Sequence, residues 1–269
     1  MKKALIYDQY LDTLGGGERY TLSFAKALTD NGFVVEVAWP YPATIEQASQ
    51  RFSMDFSSLQ SNEVAYHTIT KGSFFNKYLL TKNYELIFWV SDGSLPFLFG
   101  KKNLVHFQVP FKRVKGAFLK SFFINKYIYN SKFTQSILEK SLPRSKGIVL
   151  YPPVDIDQFK SGKKENLIIG VGRFDAPLNN KRQDVLIEAF KIFHEREPDY
   201  ELVLLGGLLG DENLIDHLKA QAQGLPIEFI TNPDFKTLQD YYAKARFFWH
   251  AAGFGIDEAK EPEKVEHFG

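Results

Sequence analysis

The sequence predicts an α/β protein made of two doubly wound, Rossmann-like domains in series. Short runs of β-branched and aromatic residues alternate with segments of helical periodicity, which is typical of a parallel sheet covered by helices on both faces. The chain has 269 residues, enough for two domains of ordinary size. A polar stretch near the middle separates two such alternating series. We therefore expect two domains that face a cleft.

The first half of the chain carries seven candidate strands. They are Lys3 to Tyr10, Phe33 to Ala38, Glu63 to Ile69, Tyr84 to Val90, Leu104 to Val109, Tyr127 to Asn130 and Gly147 to Tyr151. A helix is predicted from Gly17 to Asn31, because apolar residues gather near one side and Gly32 supplies a stop signal. These elements define a first domain at residues 1–155.

A linker is predicted at residues 156–166, where the chain is polar and carries a glycine. The pattern resumes in a second domain, 167–269. Its strands are Leu167 to Val171, Glu201 to Leu205, Ile227 to Ile230 and Arg246 to His250, and its helices are Lys181 to Glu195, Asp211 to Gln223 and Phe235 to Ala245. Ligands of such sheets bind beyond the carboxyl ends of the strands.

The composition excludes several kinds of site. The chain has no cysteine, which excludes disulfides, thiolate zinc sites and cysteine nucleophiles. This fits a cytoplasmic location best, although an oxidising compartment stays open. No run of about 18 apolar residues is present to cross a bilayer. The start resembles a signal peptide, but Asp8 interrupts the apolar run, so we interpret it as a first strand.

Basic residues are concentrated between Lys101 and Lys132, which contain eight Lys or Arg and no Asp or Glu. Aromatic residues are interleaved with them, and Val114, Phe118 and Phe122 fall at helical spacing. Residues 101–132 therefore have two interpretations. They make peripheral contact with an anionic membrane on its cytoplasmic face or with a phosphate-bearing acceptor, or they form a core helix with a solvated basic side. Nucleic acid is not an expected partner, since the rest of the chain is not basic and no nucleic-acid-binding motif is present.

Glycines 15, 16 and 17 follow the first strand and open a helix. Gly15, Gly16 and Gly17 allow close approach of a ligand, and a helix N-terminus suits an anion. The spacing differs from the dinucleotide-binding fingerprint. A tight turn without a ligand is the alternative.

Two basic residues of the second domain flank a predicted strand end. Arg173 follows the strand Leu167 to Val171, and Lys181 precedes the next helix. Two fixed cations at this place would stabilise a departing nucleoside diphosphate and replace a metal ion, since no Asp-x-Asp pair is present. We therefore expect no metal cofactor. Ordinary surface charges are the alternative.

Taken in order, these motifs resemble the GT4 family of retaining GT-B glycosyltransferases. The matching segments are G-G-G-E-R, Y-N-S-K-F-T from Tyr129, Y-P-P-V-D from Tyr151, V-G-R-F, K-R-Q-D-V-L-I-E-A-F, W-H-A-A-G-F-G-I-D-E, and E-H-F-G from Glu266. The resemblance covers nearly the whole chain, and E-H-F-G resembles mannosyltransferase-like members somewhat more.

The resemblance implies an acceptor-binding first domain, an incomplete second domain that binds the nucleotide-sugar donor, and roles for single residues. Arg173 and Lys181 would hold the diphosphate, and Glu266 would contact the donor sugar, with backbone groups near Phe268 and Gly269 approaching the sugar or phosphates. His106 would lie at a strand end near the reacting sugar. His250 and Gly253, in the H-A-A-G-F-G loop, would also line the donor site. Structural roles for the two histidines, and a frayed end at Glu266, are the alternatives.

The implied activity is transfer of a hexose from a UDP- or GDP-sugar to a hydroxyl acceptor, a saccharide or a lipid-linked molecule, with retention of configuration. The family's second motif glutamate would fall beyond Gly269, so we expect a C-terminally truncated chain that binds donor weakly and turns over slowly or not at all. A non-catalytic sugar-nucleotide or partner-binding module, and a GT-B nucleotide-sugar epimerase, are the alternatives.

Overall fold

The computed structural model describes residues 1–174, 181–208 and 212–268, without the side chain of Glu212. The chain divides into two compact units. The first unit comprises Met1–Pro153 together with the last residues from His267, and the second unit comprises Val154–Glu266.

The first unit contains a seven-stranded parallel sheet. Its strands are β1 (Lys2–Tyr7), β2 (Phe33–Val37), β3 (Gln60–Ser61), β4 (Leu86–Val90), β5 (Lys102–Phe107), β6 (Lys126–Tyr129) and β7 (Gly147–Val149). They lie in the order β3-β2-β1-β4-β5-β6-β7. Successive residues of one strand enter different cores: Ile6 and Phe88 pack on one face, Leu5 and Ile87 on the other. Burial on both faces explains the nearly continuous apolar runs of the sequence.

Helices cover both faces of this sheet. They are α1 (Gly16–Asp30), α2 (Pro42–Phe52), α3 (Glu63–Lys71), α4 (Phe74–Thr81), α5 (Ala117–Lys120) and α6 (Lys132–Leu138). Side-chain oxygens of Ser73 and Ser131 accept from backbone N–H groups and so fix where α4 and α6 begin. The basic run contains β5 and β6, and between them its helical structure is the short α5 and a following 3₁₀ turn, Ser121–Phe123, rather than a long amphipathic helix.

The strand expected at Glu63 to Ile69 is wrong, because this segment forms α3. The side-chain oxygen of Asn62 accepts from the Ala65 N–H and caps the helix at 2.7 Å. Ala65 and Ile69, four residues apart, are the buried pair of α3. A short segment with β-branched residues satisfies both periodicities, and here the cap and the buried i, i+4 pair favour the helix.

The second unit contains a four-stranded parallel sheet. Its strands are β8 (Leu167–Val171), β9 (Glu201–Gly206), β10 (Ile227–Thr231) and β11 (Phe247–Phe248), in the order β10-β9-β8-β11. Its helices are α7 (Gln183–His194), α8 (Glu212–Gln221) and α9 (Phe235–Lys244). Ile168 and Leu204 pack on one face of this sheet, and Ile169 and Val203 on the other.

In each sheet the strand order reverses beside the first strand of the unit, between β1 and β4 and between β8 and β11. The crevice at the carboxyl ends of such a strand pair is where doubly wound sheets bind ligands. Among the helices of the described ranges, none is long and apolar enough to cross a bilayer.

Candidate functional site

The reversal point of the second sheet lies between the ends of β8 and β11. Gly172 and Arg173 follow β8, and Trp249 and His250 follow β11. The Trp249 backbone N–H donates to the Ile169 carbonyl at 2.8 Å, and its ring packs edge-on against Phe193 of α7. Because Trp249 is anchored in the core, His250 is held at the strand end.

Three side chains converge at this point. The Lys181 ammonium contacts Glu266 Oε2 at 2.6 Å, and His250 Nε2 lies 3.0 Å from the same oxygen. The side chains of Lys181, His250 and Glu266 are 21%, 33% and 20% exposed. We call these three residues the Lys181 cluster. It presents a carboxylate between two basic groups, all in partial contact with solvent.

Two glycines let Lys181 cross the end of the sheet. A Cβ on Gly172 would lie 2.6 Å from Cγ of Lys181, so the lysine stem runs directly over the residue that precedes Arg173. A Cβ on Gly206, at the end of β9, would collide with the Gly172 carbonyl oxygen. The ends of β8 and β9 therefore approach closely because Gly206 carries no side chain, and the Lys181 stem crosses the end of β8 because Gly172 carries none.

Arg173, the second predicted cation, is exposed and lies at the same strand end. Its carbonyl accepts from the amide Nε2 of buried Gln183 at 2.9 Å. The sequence analysis did not single out Gln183, although it lies in the K-R-Q-D segment. It joins the start of α7 to the turn after β8 and so fixes the backbone that carries Arg173.

Arg182 is a further residue that the sequence analysis missed. Its guanidinium donates to Asp184 at 2.9 Å and 3.0 Å and to the Phe254 carbonyl at 2.7 Å. Hydrogen bonding to Arg182 lowers the pKa of Asp184. Arg182 thereby ties the start of α7 to the H-A-A-G-F-G loop.

Gly253 lies in that loop, with φ at +80°. A Cβ there would lie 2.8 Å from the Cα of Val265, the residue before Glu266. The glycine therefore permits close packing of the loop against the segment that carries Glu266. Its predicted contact with the donor stays a prediction.

The Lys181 cluster borders a shallow pocket. Its lining includes Gly172, Lys181, Gln183, Trp249 and His250. The space measures about 10 Å³, room for about one water molecule. An anion that enters must compete with Glu266 for the Lys181 ammonium, and the two basic side chains supply the donors to receive it.

The glycine loop of the first unit is occupied by the protein's own carboxylate. The Gly15 N–H donates to Glu18 Oε2 at 2.6 Å, and the Thr13 hydroxyl donates to the same oxygen at 2.7 Å. The Gly17 carbonyl accepts from the Gln108 amide at 3.0 Å, and a Cβ on Gly17 would collide with that side chain. Gly16 has open space around it. This loop is a capped helix start packed against Gln108.

His106, near the end of β5, is fully buried rather than exposed. Its ring stacks on Tyr20 with centroids 4.2 Å apart, and Nδ1 lies 3.1 Å from the Ile128 carbonyl. No partner for Nε2 is found among the described residues. Burial lowers the pKa of His106 to about 3, so the ring is neutral at physiological pH. The geometry is that of a core histidine, and its catalytic role stays a prediction.

Asp8 is a buried carboxyl directly after β1 that the sequence analysis did not propose as a site residue. It accepts from the Thr21 hydroxyl at 2.7 Å and from the Tyr10 N–H at 3.0 Å. Burial, with a smaller contribution from the charge of Glu18, raises the pKa of Asp8 to about 7.

The remaining predicted residues lie at the end of the chain. The Phe268 ring lies 6.1 Å from the ring of Tyr151, within the first unit. Gly269 lies outside the described residues.

With this geometry in place, the chain can be compared with known proteins. Residues 153–269 match the family model described as glycosyl transferases group 1, and this segment contains the whole Lys181 cluster. No curated protein sequence matches the chain.

Several solved structures are similar in fold. A variant of S. aureus TarM, in complex with fondaparinux, alpha-GlcNAc-glycerol and UDP, has a TM-score of 0.63 at 9% identity and covers 93% of this chain and 81% of its own. AviGT4, a glycosyltransferase involved in avilamycin A biosynthesis, has a TM-score of 0.55 at 14% identity and covers 92% and 68%. A UDP-GlcNAc 2-epimerase from Neisseria meningitidis, bound to UDP-GlcNAc, has a TM-score of 0.51 at 9% identity and covers 94% and 78%. The chain thus has the GT-B fold of glycosyltransferases, and its residues 153–269 match the glycosyl transferases group 1 family.

Proposed function

We propose that this protein is a retaining glycosyltransferase of the GT4 type, which moves a hexose from a UDP- or GDP-sugar to a hydroxyl acceptor. The supporting observation is the convergence of Lys181, His250 and Glu266 at the reversal point of the second sheet. Fold similarity alone is a poor warrant for function, because one fold serves several chemistries. The proposal therefore depends on what these side chains can do.

The chemical step needs cations where negative charge develops. A nucleoside diphosphate leaves with two or more negative charges, and fixed cations near it lower the barrier by several kcal/mol, about 3 in comparable sites. Lys181 is held over the end of β8 by Gly172 and Glu266, and Arg173 follows the same strand. Because their backbones are fixed before the ligand arrives, little reorganisation accompanies the reaction. We assign diphosphate binding to these two residues.

Glu266 and His250 suit the sugar end of the donor. A carboxylate accepts hydrogen bonds from sugar hydroxyls, and an imidazole nitrogen either donates or accepts. Donor binding would replace part of the Lys181–Glu266 contact with a Lys181–phosphate contact, so the carboxylate would turn to the sugar as the ammonium turns to the diphosphate. Binding and positioning are thereby coupled in one cluster.

The nucleotide is proposed from two lines of support. Solved structures similar in fold hold UDP or UDP-GlcNAc, which favours a uridine nucleotide. The E-H-F-G segment resembles mannosyltransferase-like members, which favours GDP-mannose. A saccharide or lipid-linked hydroxyl acceptor accompanies either donor in this proposal.

The test is ligand-observed NMR on the 269-residue protein with UDP, GDP, UDP-GlcNAc and GDP-mannose, titrated into the millimolar range because weak binding is expected. We expect saturation transfer to at least one nucleotide sugar. The double variant Arg173→Ala/Lys181→Ala should weaken that binding by about tenfold to a hundredfold, through the loss of charge-assisted contacts. The matched control is Lys191→Ala/Arg196→Ala, which removes two exposed cations of α7 and the turn after it. Equal affinity of the test variant and the parent protein would contradict the proposal.

A release assay separates this function from the two alternatives. A transferase releases nucleotide in the presence of an acceptor, or slowly by hydrolysis, and a non-catalytic module binds donor without releasing any. An epimerase inverts C2 of the sugar and either re-forms the bond to the nucleotide or releases the sugar. A recovered sugar with inverted configuration at C2 therefore identifies an epimerase.

A further inference from the structure

The first unit carries a surface rich in aromatic side chains, several of which are in ring contact. We call it the aromatic patch and define it by its members: Phe74, Phe75, Tyr78, Phe97, Phe99, Phe118, Phe122 and Phe123. Two parts of the chain supply it: α4, and residues 97–123, which include the end of the segment between β4 and β5, α5 and the 3₁₀ turn after it. Phe118 is 82% exposed and Phe122 is 78% exposed. Exposed apolar groups of this size, side by side, mark interaction surfaces.

Ring contacts join the two parts. Phe74 of α4 lies edge-on to Phe97 at 5.5 Å and to Phe99 at 5.6 Å, and Tyr78 lies 5.0 Å from Phe99. Phe97 and Phe99 each lie 5.3 Å from Phe123. Residues more than twenty positions apart thus contact one another, and the exposed rings of Phe118 and Phe122 lie on α5 and on the 3₁₀ turn that carries Phe123.

The backbone beneath the patch is fixed. The amide of buried Asn103 donates to the carbonyls of Leu98, Gly100 and Phe123 at 3.2, 3.1 and 2.9 Å. The Lys146 ammonium donates to the carbonyls of Ser121 and Ile124, each at 2.7 Å. The exposed rings therefore project from tied segments, and their exposure is a property of the folded chain.

The stretch of chain that supplies the patch is strongly basic. Between residues 71 and 126 the basic residues are Lys71, Lys77, Lys82, Lys101, Lys102, Lys112, Arg113, Lys115, Lys120 and Lys126, and the acidic ones are Glu85 and Asp92. Ten basic and two acidic residues give a formal charge of +8 in a chain whose total is +1. The ammonium groups of Lys120 and Lys82 lie over the rings of Phe97 and Tyr78.

From the rings, their fixed backbone and this charge, we propose that the aromatic patch docks the first unit on an anionic lipid bilayer. Aromatic rings favour the boundary between headgroups and acyl chains, and clustered Lys and Arg residues are drawn to anionic headgroups. A second copy of the chain is disfavoured as the occupant, because pairing two such patches would bring like charges together. The inference is independent of the proposed transferase activity.

The test is flotation of the 269-residue protein with vesicles of phosphatidylcholine alone and vesicles enriched in phosphatidylglycerol. We expect binding to the anionic vesicles that weakens as salt is raised. The variant Phe118→Ser/Phe122→Ser should lower the partition by about tenfold or more, since two rings no longer insert. Ile192→Ser, which removes an exposed apolar side chain of α7 in the second unit, is the matched control and should bind like the parent protein.

A charge variant completes the test. Arg113→Glu/Lys115→Glu should also weaken binding to anionic vesicles, whereas Lys191→Glu should not. Circular dichroism and donor binding by NMR should be unchanged in the phenylalanine variant, which separates loss of docking from loss of fold or of donor binding. Three outcomes would each overturn the proposal. The first is absence of vesicle binding by the parent protein, and the second is equal binding by the phenylalanine variant. The third is a parent dimer that does not bind vesicles and that the phenylalanine substitutions convert into a monomer.

Discussion

The two sheets reverse their strand order in the same way, yet polar groups at their carboxyl edges are used differently. In the first unit Asp8, Glu18 and His106 are buried and, apart from one nitrogen of His106, satisfied within the described protein. In the second unit the Lys181 cluster stays in partial contact with solvent. Strand order predicts where a site can lie, and the exposure of the side chains decides which edge can receive an anion.

Burial also changes what the first group of residues can do. A carboxyl whose pKa rises to about 7 and an imidazole whose pKa falls to about 3 are both biased toward their neutral forms. At that edge the polar groups contribute packing and hydrogen bonds. The second edge holds its charges beside a small pocket and in partial contact with solvent.

The largest expected effect is a loss of stability at the carboxyl edge of the second sheet. Gly206→Ala places a methyl group against the Gly172 carbonyl, with backbone on both sides, and should destabilise the second unit by on the order of 3 kcal/mol. Hydrogen exchange of the β8 and β9 amides measures it. Gly16→Ala, where nothing lies within 4 Å, is the control and should change stability by less than about 0.5 kcal/mol. Similar exchange in both variants would show that the two strand ends can separate freely.

The second prediction concerns pH dependence at the first edge. Asp8 has a folded pKa of about 7 against an ordinary value of 3.8, so its favourable contribution is present at low pH and is lost as pH rises through 7. Asp8→Asn should therefore stabilise the first unit at about pH 8 by on the order of 2 kcal/mol. Hydrogen exchange of the β1 amides reports it, and no gain at that pH would mean that the carboxylate is solvated there.

The pKa of His106 is shifted in the opposite direction, so its contribution to stability has the opposite dependence on pH. The same experiment can detect it. Its folded pKa is about 3 against an ordinary 6.5, so its contribution is lost as pH falls below 6.5, where the unfolded chain takes up the proton first. In the parent protein the two groups offset each other over this range. Asp8→Asn should leave only the histidine effect and make the first unit less stable at about pH 5 than at about pH 7.

The smallest effect tests competition within the Lys181 cluster. Glu266→Gln removes the carboxylate that contacts the Lys181 ammonium, so binding of UDP without a sugar should strengthen by about threefold, because a partly exposed ion pair is worth under about 1 kcal/mol. Sugar transfer should fall, since the sugar loses an acceptor. Titration by NMR measures the first effect, with Glu195→Gln as the control. Weaker UDP binding in Glu266→Gln would mean that the carboxylate organises the cation and does not compete for it.

Much of the fold follows from the sequence because buried parallel strands read as apolar runs. All four strands of the second sheet were expected within a few residues of their bounds. The segment from Glu63 failed because its length and β-branched residues suit both periodicities, and a cap decided the outcome. Helices α2 and α4 were not predicted at all.

The candidate site was predictable in part. Lys181, His250 and Glu266 were each expected from the family resemblance, but their shared contact at Glu266 Oε2 depends on how distant segments pack. The burial of Asp8 and His106 was missed for the same reason, since Thr21 and Tyr20, which cover them, belong to another element. The aromatic patch was half visible, because the basic run contains Phe118 and Phe122 but not the rings of α4.

The Lys181–Glu266 contact joins residues 85 positions apart. On a ribosome, Lys181 leaves the exit tunnel before Glu266 does, by an interval of roughly 4 to 17 seconds at about 5 to 20 residues per second. Most strands of the second sheet can assemble in that time, while the ammonium still faces the cell's own nucleotides and phosphates. The nascent chain therefore meets soluble anions at this position before its internal competitor exists.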